Sequence, residues 1–298
     1  MQMQTQIAGN GSGSALPLTG PNSAVLLDED SRTEVLKFLE RRPIQTAMLT
    51  GLIRDNGLRN RFNRGDFYGC RNQRGEFEGV ALIGHATLFE TSTNRALRSL
   101  ARVAETCATT HMIMGEAGLL DRFCGFYSRP RLANRKVCRE QLMELRNPIP
   151  AAAEVPELRP ATLKDLVLLL PIHAQMAFAE SGVNPLEKDP EGFRNRYASR
   201  IRKKRTWLKV ESGKPVFKVE IISETPRVAY LEGIWTHPDS RSRGQGTDCL
   251  LQLSRRLLSH SKSICVFVNE ENAAAIRFYE RAGFTAKSMY DTIFLQPY

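Results

Sequence analysis

No Cys-x-x-Cys pair occurs in this sequence, and none of its histidines stands at a zinc-ligand spacing, so no metal site is expected. No apolar run reaches the ~18 residues that span a bilayer, so no membrane partner is expected. The start, Met1 to Ser23, lacks a basic segment followed by an apolar one and reads as a mobile polar tail, not a signal peptide. No helix-turn-helix or aromatic-basic signature points to nucleic acid. No Gly-Lys-Ser/Thr ends a phosphate loop, and no third glycine completes a dinucleotide fingerprint. The six cysteines (Cys70, Cys107, Cys124, Cys138, Cys249, Cys265) are scattered. Several lie within apolar runs, where a thiol acts as a small hydrophobe, and this usage predicts a reducing compartment, the cytoplasm.

Acidic residues are in deficit: 42 Lys and Arg against 32 Asp and Glu leave a net charge of +10. That balance suits an anionic ligand or an acidic partner; a solvated basic surface is the plain alternative. The 298 residues leave room for two domains, and 42% hydrophobic residues suffice for a sizeable core.

The expected order begins with a short strand at 24–27, a helix capped by Asp30 or Ser31, and a second helix with Pro43 in its first turn. Strands at 66–71 and 78–89 follow, the longer arm open to being two strands. Then come a helix over 95–107, a strand at 112–114, a helix over 118–126, and a strand or helix at 137–145. Residues 148–156 carry three prolines and read as a linker between a domain at 24–147 and another at 157–298. Thr162 should cap a helix with Asp165 as the reciprocal partner, and Pro171 should interrupt or kink it. Asp189-Pro190-Glu191 starts a helix with Phe193, Tyr197 and Ile201 on one face and a row of Arg and Lys on the others. A hairpin turns at Ser212–Pro215, and a strand at 228–236 follows.

That last strand runs into a glycine loop. Gly244 and Gly246 allow a tight turn and a close backbone approach, and the amides of the following helix are free to meet an anion. Arg241 and Arg243 add charge-assisted donors. With Ser242, Gln245 and Thr247 these residues form the candidate phosphate loop. An apolar helix, a short strand at 264–268 and Asn272-x-x-Ala275-x-x-x-Tyr279-x-x-x-Gly283-Phe284 complete the series.

In order and spacing, Tyr230 to Phe284 resembles the GNAT superfamily of acyl-CoA N-acyltransferases. Its pattern is a strand ending near a proline, then Arg/Gln-x-x-Gly-x-Gly/Ala opening a helix, then Asn-x-x-Ala-x-x-x-Tyr-x-x-x-Gly-Phe. The resemblance implies an α/β (α+β) fold: a mixed, mostly antiparallel sheet flanked by helices. The order of elements before the linker broadly repeats the order after it, so the fold is expected twice in tandem. The first copy is degenerate, because Thr91–Ala96 replaces the glycine loop and no Asn-x-x-Ala-x-x-x-Tyr follows. It is expected to serve as scaffold or substrate wall without binding coenzyme A.

The resemblance further implies acetyl-CoA as cosubstrate, its pantetheine lying along the backbone of Ile234, Trp235 and Thr236 where the strand splays at Gly233. Asn272 and Ala275 would meet the pantetheine, with Asn269 a rival for Asn272. Tyr279 would protonate the leaving thiolate; a packing tyrosine is the plain alternative. Glu232, which shares a strand face with Tyr230 and Ile234, is the candidate base, or else a surface or salt-bridge glutamate. The expected activity is acetyl transfer to a primary amine by direct attack in a ternary complex, without metal. A coenzyme A-binding pseudoenzyme acting as a sensor or structural partner is the alternative. The acceptor and the oligomeric state stay open.

Overall fold

The computed structural model describes residues 23–127, 135–147 and 154–295; the expected tail and the centre of the linker lie outside them. Before the linker run β1 (Val25–Leu26), α1 (Arg32–Leu39), α2 (Ala47–Asn56), β2 (Gly65–Arg71), β3 (Phe77–Gly84), β4 (Ala86–Thr91), α3 (Asn94–Thr106), β5 (Met112–Glu116), α4 (Ala117–Phe126) and β6 (Arg135–Leu145). After it run β7 (Arg159–Pro160), α5 (Leu166–Ser181), α6 (Pro185–Lys188), α7 (Pro190–Arg202), β8 (Thr206–Glu211), β9 (Lys214–Glu224), β10 (Ala229–Thr236), α8 (Gln245–Leu258), β11 (Ile264–Asn269), α9 (Ala273–Arg281) and β12 (Thr285–Leu295). The second series repeats the first, with α6 added.

Local chemistry explains most boundaries. Thr162 and Asp165 form the reciprocal capping box expected of them. Asp189 accepts from the Gly192 amide with Pro190 in the first turn. One expectation needs correction: the second helix begins at Ala47, and Pro43 sits in the turn before it. Of the two alternatives at Pro171, interruption falls away, since α5 runs through it. The residue four before it, Val167, is 71% exposed, so that side of the helix faces water, where a carbonyl without an amide partner can be hydrated.

The strands form one continuous sheet in the order β1-β2-β3-β4-β5-β12-β6-β11-β10-β9-β8-β7. Among the described residues, only β4–β5 and β10–β11 pair in parallel. The last strand of each half has crossed over: β6 pairs with β11, β12 pairs with β5, and the two pair with each other at the centre. Packing follows the pairing. Ile293 and Leu295 of β12 join the core under α3 and α4, and Met143 and Leu145 of β6 join the core under α8 and α9. The opposite face carries a core shared by both halves, in which Leu49 and Ile53 of α2 cluster with Tyr230 and Cys265. A Cβ on Gly51 would overlap the Ser223 side chain, so α2 is seated directly on β9.

Candidate active site

Strand β10 pairs with β11 only from Ala229 to Leu231. Beyond that, β11 stays on β6 and β10 stays on β9, so the two part and open a cleft. A bulge marks the parting. Glu232 faces Glu220 and Trp235 faces Lys218, leaving Gly233 and Ile234 together opposite Val219. Gly233 has φ +57°, a left-handed conformation that costs glycine least.

The glycine loop lies at the end of this strand. Arg241 Nε donates to the Thr236 carbonyl at 3.1 Å. Gly244, at φ +80°, stands at the N-cap of α8 and contributes no capping side chain. The first amides of α8 are therefore left for a ligand. Gly246 packs so closely that a Cβ there would come 2.5 Å from Thr236 Oγ1. Arg241, Ser242 and Arg243 are exposed; Gln245 and Thr247 are half-buried. The structure thus brings Ile234–Thr236 and the loop 241–247 together.

Tyr279 is 7% exposed and packs between Phe278 and Phe284. It shares a core with Leu231 and Val266, where the strands part, and Ile234 and Ala275 pack against that core. Burial pushes its phenol well above the ordinary value, so the hydroxyl keeps its proton. Asn272 is exposed and spends its Oδ1 on capping α9 through the Ala275 amide at 3.1 Å. Asn269 Oδ1 likewise accepts from the Glu271 amide. The amide nitrogen of each side chain, and the second lone pair of each oxygen, remain for a ligand.

Glu232 lies on the other face of the sheet from Tyr279, bonded to the Tyr230 hydroxyl, whose proton is held by burial and by the Glu232 charge. Sequence reasoning missed its surroundings. His173 on α5 stacks on Tyr197 of α7 at 3.6 Å between ring centres. Its Nδ1 lies 2.9 Å from Lys218 Nζ, and its Nε2 lies 3.3 Å from Glu220 Oε1. Thr206 donates to the other Glu220 oxygen at 2.9 Å. Burial lowers His173 to about 4, which leaves it neutral at pH 7. Burial lowers Lys218 to about 8 against the attraction of Glu220. Burial opposes ionisation of Glu220, but His173 and Lys218 hold its carboxyl below the ordinary value.

Two further carboxylates belong here. Burial raises Glu140 on β6, which also accepts from Thr292. Glu180 on α5 is exposed to water, and desolvation, with Glu232 and Glu140 nearby, raises its carboxyl to about 7. Arg200, expected on a solvated basic face, is half-buried with its guanidinium 5.2 Å from the Tyr197 ring centre. The missed signal was in β9, where Lys218 and Glu220 alternate with apolar Phe217, Val219 and Ile221. That pattern reads as one solvated face, but here helices cover both.

The equivalent cleft before the linker is closed. Strands β4 and β5 also part, after Leu88 and Met114, but Arg42 reaches across to Glu90 at 3.2 Å and to Glu116 at 2.6 Å. The Thr93 hydroxyl caps α3 by accepting from the Ala96 amide at 3.2 Å.

Residues 175–284 match the Acetyltransferase (GNAT) family, and this segment is a GNAT acetyltransferase domain. The chain as a whole has a tandem GNAT fold. A GNAT-family acetyltransferase from Colwellia psychrerythraea aligns over 92% of this chain and 100% of its own, at 13% identity and a TM-score of 0.56. A tandem GNAT protein of the clavulanic acid biosynthesis pathway aligns over 93% and 99%, at 11% identity and a TM-score of 0.56. A Drosophila protein solved by structural genomics aligns over 93% and 99%, at 13% identity and a TM-score of 0.64. No curated protein matches at the level of sequence. Among the described residues, no group of side chains is arranged to hold a metal, and no helix is long and apolar enough to cross a membrane.

Proposed function

We propose that the chain is a cytoplasmic N-acetyltransferase that moves the acetyl group of acetyl-CoA to a primary amine in one ternary complex. The observation that carries this reading is the parting of β10 from β11 at the Gly233 bulge, beside the N-terminus of α8, whose N-cap has no side chain. A diphosphate would sit on the amides and arginines of 241–247, and the pantetheine arm would run along Ile234–Thr236. Asn272 and Ala275 border that arm.

In this reading the amine attacks the thioester carbonyl carbon, the C–S bond breaks, and Tyr279 gives its proton to the leaving sulfur and regains one from solvent when coenzyme A departs. Glu232, across the sheet, takes the proton released from the amine. Glu180, exposed and titrating near neutrality, passes it to water. The half before the linker does not bind coenzyme A, because Arg42 bridges its cleft and Thr93 occupies the start of α3. It forms part of the wall of the acceptor side, through α2 and β6.

The test is thiol release from acetyl-CoA with a panel of amines, for wild type and Tyr279→Phe. Tyr279→Phe should lower kcat by about 10²-fold on the best amine, with acetyl-CoA affinity unchanged. Equal turnover by the variant would overturn the assignment of Tyr279. Acetyl-CoA binding without release on any amine would favour the sensor reading.

A further inference from the structure

Lys218 is 1% exposed, yet it stands beside a backbone segment and away from any surface. Its Nζ lies 3.0 Å from the position a Cβ would take on Gly233. A lysine ammonium carries three donors, and the one hydrogen bond found for it among the described residues is the 2.9 Å contact with His173 Nδ1. A buried charge of this kind persists only when something holds it. Here the neutral His173 ring accepts from it, and Glu220, hydrogen-bonded to Thr206 and 3.3 Å from His173 Nε2, supplies the counter-charge. Three elements (α5, β8 and β9) thus hold one ammonium against the bulge.

We propose that Lys218, held by His173 and Glu220, is a positioning residue that fixes the Gly233–Ile234 bulge and so keeps β10 from continuing its regular pairing with β9. The ammonium fills the space beside Gly233 that a regular strand residue would claim. It also offsets the carboxylates of Glu220 and Glu232, which face each other across β9 and β10. An uncharged side chain there would leave the two carboxylates to repel each other and remove the group that wedges the bulge. The inference concerns the shape of the protein itself; its relevance to acetyl-CoA rests on the function proposed above.

The same geometry makes the bulge sensitive to pH. The groups acting on Lys218 are Glu220 from β9, Arg200 from α7, Glu180 from α5 and Glu232 from β10, with His173 of α5 in contact and Tyr197 of α7 stacked on that histidine. Burial and Arg200 favour loss of its proton, and the carboxylates favour retention. With Lys218 lowered to about 8, its ammonium is present at pH 7 and lost as the pH rises past 8.

The test is peptide-level hydrogen exchange together with calorimetric titration of acetyl-CoA, on full-length wild type, Lys218→Met and His173→Gln. Lys218→Met should raise exchange at least tenfold at 232–236, leave the rest of the sheet protected, and weaken acetyl-CoA at least tenfold. His173→Gln, which keeps the lysine but loosens its hold, should act in the same direction by a smaller factor and decides the matter if Lys218→Met does not fold. Wild type at pH 9, corrected for the intrinsic pH dependence of exchange, should approach Lys218→Met at pH 7. Unchanged protection at 232–236, or protection lost evenly across the sheet, would overturn the proposal. Failure of wild type to bind acetyl-CoA would overturn the proposed function, while the exchange data would still decide the role of Lys218.

Discussion

At the scale of single residues, burial sets the chemistry more than residue type does. His173 and Glu232 are ordinary side chains in the sequence. In the fold one is a neutral acceptor under a lysine, and the other is a carboxylate tied to a tyrosine. His173 has a consequence for stability. Its folded value of about 4 lies below the ordinary 6.5, so the unfolded chain binds the proton more readily between those limits. The contribution is full above pH 6.5 and is lost as the pH falls towards 4, on the order of 3 kcal/mol for the whole interval. Denaturant unfolding of wild type should weaken over that interval, and His173→Gln should show a shallower decline. Parallel curves would mean that His173 does not drive it.

At the scale of elements, the loop into α8 is where affinity for a diphosphate should reside. The obvious disruption, Gly246→Asp, is a poor test, because its Cβ would collide with Thr236 before its charge met any ligand. Arg243 is exposed, so Arg243→Glu changes charge without disturbing packing. Coenzyme A affinity should fall at least tenfold, about 1.4 kcal/mol, with unfolding changed by less than about 0.5 kcal/mol. Calorimetry showing equal affinity would remove the arginine from the site. Strand β9 shows how such an element misleads. Its alternation of Lys218 and Glu220 with apolar neighbours reads as one wet face and one dry face, and α5 and α7 cover the face that reads as wet.

At the scale of the whole molecule, the crossing of β6 and β12 ties the two series of elements together. A chain ending at Asn147 would keep β6 but lose both of its neighbours, and β5 would lose β12. Such a fragment presents long unpaired edges. It should self-associate or precipitate in size-exclusion chromatography. A monomeric fragment with a cooperative unfolding transition would show that the exchange is dispensable.

What the sequence determined alone was local. Glycines at 244 and 246, the cap and proline at 189–190, the Thr162–Asp165 box and the Asn272 to Phe284 spacing each act within one or two turns of chain. Chemistry of that range can be read from neighbours. The repeat of elements on either side of the linker was legible for the same reason. Strand β12 has no counterpart among the elements expected from sequence, and β6 is ambiguous there between strand and helix. Which strands they would join was beyond reach, since backbone hydrogen bonds carry no sequence label and both strands alternate in the same way. The tertiary structure made that choice, and with it decided which polar side chains would be buried. Lys218, Glu220 and His173 became a network because helices closed over them from outside their own strand, and a charge sealed from water must be paired where it stands.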